Sequence, residues 1–88
     1  MFQKLSEKEI KEVHLQIGRN LKCCRKDKGY SQLDLATELG YKSTSPIAMA
    51  EIYYKRKHFN IEGLANLSRC LGVEIERLLE GVDDILNK

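Results

Sequence analysis

The sequence is poor in the residues that mark secreted, metal-binding or disordered proteins. Its 88 residues include three cysteines, one proline and no tryptophan. An odd number of cysteines with two adjacent, Cys23 and Cys24, is a poor disulfide framework, and no Cys/His spacing fits zinc. No Ser/Gly/Pro-rich tract indicates a linker or a disordered tail. We therefore expect reduced thiols, no metal and no cofactor.

Long apolar runs are missing as well. No stretch approaches the length of a membrane span, and residues 1–4 lead into charged positions rather than into an apolar signal segment. We expect a cytoplasmic protein that does not associate with membranes. The length fits a single domain, residues 1–88, and argues against a second domain for signal sensing.

Catalytic motifs are also absent. The two histidines, His14 and His58, lie far apart in the sequence, and no nucleophile motif accompanies them. His14 lies beside the apolar stripe of the first predicted helix, which is typical of a packing or surface residue. We expect no enzymatic activity.

Charge is distributed unevenly along the chain. Residues 1–58 carry twelve Lys/Arg and seven Asp/Glu, whereas residues 59–88 carry three and six. The front is therefore +5 and the back −3, which sum to the net +2 of the chain. A basic N-terminal part with an acidic C-terminal part suits a polyanionic partner on one face of the protein, although solvated helices also show such asymmetry by chance.

The apolar spacing predicts helices throughout and no strand. The first helix opens at Ser6 with a capping-box pattern and stops at Lys28-Gly29. Ser31 opens a second helix and Ser43 a third, with a proline tolerated in its first turn. Asn60 opens a fourth, whose inward residues are predicted as Ile61, Leu64, Leu67 and Leu71. A fifth runs from about residue 73 or 74 through 79, and the tail adds a helical turn or two.

The spacing of these pieces resembles phage-repressor and Cro-like (XRE-type) helix-turn-helix regulators over roughly residues 14–80. The resemblance implies an all-α, five-helix, lambda-repressor-like domain in which helices 2 and 3 form the helix-turn-helix. Residues 1–13 would extend the first helix, and residues 81–88 would form the C-terminal tail. The residues on which the resemblance rests are Ile17-Gly18-Arg19-Asn20-Leu21, residues 25–32, Leu35-Ala36, Leu39-Gly40, Ser43, Ile47, Glu51, Leu64, Leu67 and Leu71-Gly72-Val73.

The resemblance also implies roles for individual residues. Arg25 and Glu51 fall where the family places a partly buried ion pair between the first and third helices. Gln32 falls where the family contacts a DNA phosphate and buttresses the recognition helix. Ser43 is expected first as a cap and second as a phosphate contact.

The expected recognition helix is unusually apolar. None of its candidate base-facing residues is Arg, Lys, Gln or Asn, the side chains best suited to bidentate base recognition. Contacts to thymine methyl groups together with DNA shape would then carry the readout. The open alternative is a helix that reads little sequence. The candidate residues are Thr44, Ser45, Ala48 and Met49.

The chain departs from the family pattern around this helix. Lys42 is inserted before Ser43, and the glycine expected shortly after Glu51 is replaced, so the third helix is predicted to run on to around Lys55. The basic run that follows is expected to grip DNA phosphates together with Lys42, the alternative being a solvated charge cluster. That run is Tyr54, Lys55, Arg56 and Lys57.

The tail carries more apolar residues than an isolated fifth helix needs. A two-fold homodimer interface would bury them and set two recognition helices one DNA turn apart. Packing within the chain is the competing interpretation, and both stay open. The residues are Leu78, Leu79, Val82, Ile85 and Leu86.

These expectations converge on a regulator that binds a palindrome in double-stranded DNA as a homodimer. Stand-alone domains of this kind resemble Cro-like phage regulators, restriction–modification controllers or antitoxin-type autoregulators, and the sequence does not separate the three. Two alternatives stay open: a DNA binder of low sequence specificity, and a protein-interaction module on a repressor-like scaffold that docks an unknown protein partner.

Overall fold

The computed structural model describes residues 1–87, which form six α-helices and no β-strand. The all-α prediction is confirmed for this part of the chain, and a short 3-10 turn at Tyr54–Arg56 separates the third and fourth helices. No helix within the described residues is both long and apolar enough to cross a bilayer. In chain order the helices are α1 (Glu7–Asp27), α2 (Gln32–Glu38), α3 (Ser45–Glu51), α4 (Ile61–Leu71), α5 (Ile75–Leu78) and α6 (Val82–Leu86).

Side chains cap three helices where the sequence predicts caps. Ser6 and Ser31 each accept a hydrogen bond from the backbone N–H three residues on, and the carboxylates of Glu9 and Asp34 accept one from the capping residue's own N–H. Asn60 caps α4 with a single bond, its Oδ1 accepting from the Gly63 N–H at 2.8 Å. Each cap satisfies an amide that has no partner inside the helix, so local sequence fixes these three starts.

The start of α3 differs from the prediction. α3 begins at Ser45, and the residue before it, Thr44, makes no side-chain cap. Ser43, the predicted cap, accepts only a long hydrogen bond from the Ser45 N–H, at 3.4 Å. The first backbone hydrogen bonds of α3 run from the N–H groups of Ile47 and Ala48 to the carbonyl of Thr44, which places the cap position at Thr44. The prediction of Ser43 as the cap is therefore wrong.

The hydrophobic core takes one large, fully buried side chain from each of the first five helices. Burying a leucine or isoleucine in this way contributes about 1.5–3 kcal/mol. Ile61, predicted to face inward, is instead 71% exposed, because it lies in the first turn of α4, where no other helix covers it. These five largest fully buried side chains are Leu21, Leu35, Ile47, Leu67 and Leu78.

Two of the predicted dimer residues belong to this interior. Leu78 is completely buried, and Ile85 is 8% exposed because α6 packs against α1. Neither is available to a partner in this fold, so their assignment to a dimer interface is wrong, and packing within the chain accounts for both. Leu79 and Leu86 stay exposed, at 37% and 45%, and Val82 is half-buried.

α1 is the helix against which α3, α5 and α6 pack. At Gly18 it meets the end of α3 backbone to backbone: a Cβ built there would lie 2.7 Å from the carbonyl oxygen of Ala50 and closer still to that of Glu51. Side chains almost never come so close to a carbonyl, so glycine is needed at this crossing.

A buried amide ties α1 to the end of α5. Asn20 is 6% exposed, and its Nδ2 donates to the carbonyl oxygens of Leu78 at 2.9 Å and Glu80 at 2.7 Å. Its Oδ1 accepts from Gln16 Nε2 at 3.0 Å, so the whole amide is satisfied. The sequence does not predict this role, because the residues that Asn20 contacts lie 58 and 60 positions further along the chain.

Replacing Gly18 with Ala should lower the free energy of unfolding by about 1–3 kcal/mol, the usual effect of overpacking a tight contact. In an open helix interior the same change stabilises by about 1 kcal/mol, because glycine is a poor helix former. The sign of the change, measured by urea unfolding, therefore reports the close approach. Lys22→Ala, on an exposed position of α1, serves as the control. A more stable Gly18→Ala variant would contradict the crossing described above.

Candidate nucleic-acid interface

A buried ion pair fixes α3 from behind. Arg25 Nε lies 2.7 Å from Glu51 Oε2, and Arg25 Nη2 lies 3.2 Å from Glu51 Oε1, so the pair is bidentate. The two side chains are 7% and 2% exposed. Arg25 Nη1 also donates to the carbonyl of Tyr30 at 2.8 Å, the residue just before α2 and its cap. The predicted pair between the first and third helices is confirmed.

Gln32 joins the same network. It is the first residue of α2, and its Nε2 donates to Glu51 Oε1 at 3.1 Å. This contact confirms the buttressing role expected for Gln32, because one carboxylate now connects α1, α2 and α3. Its predicted contact with a phosphate stays a prediction. The network holds the outer surface of α3 in one orientation relative to the helices before it.

α3 divides cleanly into two faces. Its inward side carries Ile47, Ala50 and Glu51, all buried. Of the four residues predicted to face DNA bases, Ser45, Ala48 and Met49 share the other side of α3 at i, i+3 and i+4 spacing, and Thr44 precedes the first turn of the helix. Ser45 is exposed and the other three are half-buried. The surface formed by Thr44, Ser45, Ala48 and Met49 is the outer face of α3.

The segment after α3 is not the helical continuation that the sequence predicts. α3 ends at Glu51 rather than near Lys55, because Tyr53 adopts a left-handed backbone with φ 53°, which a right-handed helix cannot continue. Lys55 and Arg56 are left-handed too, with φ 50° and 65°. Left-handed backbone costs a non-glycine residue about 1–2 kcal/mol, so neighbouring contacts must hold this turn.

A stack of three rings supplies such contacts. The imidazole of His14, on α1, lies parallel to the ring of Tyr53 with centroids 4.7 Å apart, and stacks on His58 at 4.1 Å. Tyr53 and His58 stand on either side of the basic run, so the stack clamps both of its ends to α1. The sequence predicts only a packing or surface role for His14 and does not predict the stack, because no local pattern marks ring partners so distant in sequence.

The basic run between the clamped ends points outward. The side chains of Lys42, Lys55, Arg56 and Lys57 are all exposed, as is Tyr54, and Lys55 Nζ lies 5.4 Å from the centre of the Tyr54 ring. Among residues 1–87, none of these four cations has a carboxylate within 4 Å, since the ion pairs found there are Arg25–Glu51 and Arg77–Glu80. Their charge is free to meet an anion.

One open groove of about 490 Å³ joins the outer face of α3 to the basic run. Four predicted DNA-contact residues line it: Ser43, Ser45, Met49 and Lys57. Lys55 and Arg56 line a second groove, which shares no lining residue with the first. The remaining predicted contacts lie outside both linings, and these are Gln32, Lys42, Thr44, Ala48 and Tyr54.

The cysteines and histidines do not assemble a metal site. Within the described residues, no group of three or more His, Cys, Asp or Glu side chains could hold a metal ion. All three cysteines are free thiols. Burial raises the pKa of the Cys24 and Cys70 thiols, which keeps both protonated and unreactive at neutral pH.

Removing one partner of the buried ion pair should be costly. Glu51→Leu or Arg25→Met alone should lower the free energy of unfolding by about 3–5 kcal/mol, because each leaves the other charge buried and unpaired. The double variant should recover most of that loss, since two apolar side chains carry no desolvation penalty. Urea unfolding of the four proteins gives the coupling energy. Strictly additive losses would contradict the coupled burial of the two charges.

The ring stack should make stability depend on pH. Burial, and then the charge of His58, lower the pKa of His14 below its ordinary value of 6.5. The fold therefore favours neutral His14, so its contribution is complete above pH 6.5 and declines as the pH falls below that value. Thermal unfolding from pH 7.5 to pH 5 should show Tm falling more steeply for the natural chain than for His14→Phe, which keeps a ring but cannot be protonated. Equal slopes would argue against the stack.

Comparison with protein-family models, with curated proteins and with solved structures found no match to this chain. The candidate site therefore rests on the geometry of its own residues and on the sequence resemblance described above. That geometry consists of the outer face of α3, whose orientation is fixed by the Arg25–Glu51 pair, and of the basic run, whose two ends are held by the ring stack on His14.

Proposed function

We propose that this chain is a cytoplasmic, DNA-binding transcription regulator whose α2 and α3 act as a helix-turn-helix. The observation that carries the proposal is the combination of a solvent-facing α3, held by the Arg25–Glu51–Gln32 network, with a neighbouring loop of cations that lack carboxylate partners in the described chain. A helix presented on a rigid base beside a cationic loop suits insertion into the major groove. The lambda-repressor-like, five-helix arrangement implied by the sequence supports the same function.

The outer face of α3 and the basic run would make different kinds of contact with DNA. The outer face of α3 would contact base edges, with Thr44, Ala48 and Met49 offering methyl groups to thymine and Ser45 a hydroxyl. Lys42, Gln32 and the basic run would bind phosphates and set the register on the duplex. An outer face without Arg, Lys, Asn or Gln makes DNA shape an important part of the readout.

A palindromic operator would be bound by a homodimer. Leu79, Val82 and Leu86 still offer apolar surface for a two-fold contact after the burial of Leu78 and Ile85 within the chain. This surface is small, so the dimer on DNA would draw much of its stability from the two half-sites held together by one duplex.

A second candidate function is a protein-docking module on the same scaffold. The groove beside α3 favours it, because Tyr41, Pro46, Met49 and Phe59 line the groove together with polar residues. The cations at Lys55 and Arg56 favour DNA, since an apolar docking face does not need them.

A binding titration against the DNA upstream of the gene that encodes the chain tests the proposal, with a scrambled duplex of equal length as the control. The log of the affinity should fall linearly with the log of the salt concentration, by about one unit of slope for each phosphate neutralised. The Lys55→Glu/Arg56→Glu variant should lose about two units of that slope and most of the affinity. Lys26→Glu/Arg69→Glu, which makes the same charge change outside both grooves, should lose little.

The outcomes separate the candidates. Binding that depends on the palindrome supports the regulator, and equal binding to both duplexes supports a DNA binder of low specificity. Absence of binding at low salt contradicts the proposal and leaves the protein-docking function. Sedimentation of the protein with and without the duplex gives the number of chains bound.

A further inference from the structure

A second cationic groove adjoins the basic run. It is open, measures about 590 Å³, and runs between the basic run and the first turns of α1. Lys8 and Lys11 line it from α1, and Lys55 and Arg56 line it from the loop. These α1 residues belong to the N-terminal extension outside the stretch that resembles the repressor family, so the resemblance assigns no role to them.

The charges of this groove are strongly unbalanced. Four cations line it, against one carboxylate, Glu7. Among residues 1–87, none of the four cations has a carboxylate within 4 Å. Four cations gathered around one carboxylate still repel one another on balance, and a concave surface concentrates their field. A polyanion passing through the groove would relieve that repulsion.

Both walls of the groove are held in place. The capping box at Ser6 fixes the start of α1, so Lys8 and Lys11, three residues apart, lie side by side on one helix face. His14, one turn further along α1, stacks on Tyr53, which also lines the groove. The four cations therefore sit on two elements that are held against each other, and a strand lying between them would meet cations on both sides.

We propose that this groove binds the phosphodiester backbone of DNA and extends the footprint beyond the loop. The proposal rests on the DNA-binding function proposed above. Lys55 and Arg56 carry the argument, because they belong both to the predicted phosphate-gripping loop and to the lining of the groove. A strand held by the loop is thereby brought to the edge where Lys8 and Lys11 stand.

The double variant Lys8→Gln/Lys11→Gln tests the groove, with Lys26→Gln/Arg69→Gln as the matched control. Both remove two positive charges from exposed positions, and circular dichroism melting checks that both fold as the natural chain does. Binding is measured by fluorescence anisotropy with the upstream duplex and the scrambled duplex over a range of salt. Lys8→Gln/Lys11→Gln should lose about two units of salt slope on both duplexes, because backbone contacts ignore sequence. The control should keep the slope of the natural chain.

Two further measurements test whether the groove contacts DNA. Glu7→Gln, which removes the carboxylate of the groove, should strengthen binding. Shortening the duplex at its flanks should weaken the natural chain and leave Lys8→Gln/Lys11→Gln unchanged, because the variant has already lost the outer contacts.

The failures are distinguishable. If the natural chain binds DNA and Lys8→Gln/Lys11→Gln keeps the same slope, or if the control loses as much, the groove proposal is overturned while the proposed function stands. If the natural chain binds neither duplex at low salt, the proposed function fails and the groove proposal fails with it.

Discussion

The buried pair of Arg25 and Glu51 is the interaction on which the candidate site depends. Removing two charges from water is costly, and their attraction offsets that cost only when the geometry is good and the remaining donors and acceptors are satisfied. Here the carboxylate also accepts from Gln32, the guanidinium also donates to the carbonyl of Tyr30, and no buried side-chain polar atom in the described chain lacks a partner. Such a network contributes orientation more than net stability, because α3 can satisfy it in one position.

The loop after α3 keeps a strained backbone where glycine would avoid the strain. Tyr53, Lys55 and Arg56 occupy backbone conformations that glycine adopts at no cost, yet two of the three are cations. A glycine there would relax the backbone and remove the charge. The chain instead tolerates strain and anchors the loop by stacking Tyr53 and His58 on His14. Strain retained where it displays exposed charge is characteristic of functional surfaces.

Features set by near neighbours in the sequence could be predicted, whereas features set by packing could not. Three helix starts follow from a capping side chain and the residues just after it. The pairing of Arg25 with Glu51 followed from the family resemblance. Whether Leu78 is buried within the chain or available to a partner depends on which helices cover it. The spacing of apolar residues does not specify that. The contacts of Asn20 and His14 join distant parts of the chain, and nothing local marks them.

The amide of Asn20 also bears on the order of events during folding. Its hydrogen bonds close loops of 58 and 60 residues, so the contacts between α1 and the end of α5 cannot form until residues 78–80 have been made. Loop closure of that length must precede the contacts that reward it. The other contacts of α1 do not wait for that closure, because the carbonyls that Gly18 meets and the rings that stack on His14 belong to residues 50–58. On the ribosome, the partners that anchor the cationic loop are therefore made before the residues that Asn20 binds, and the contacts of Asn20 complete a fold in which that loop can already be held.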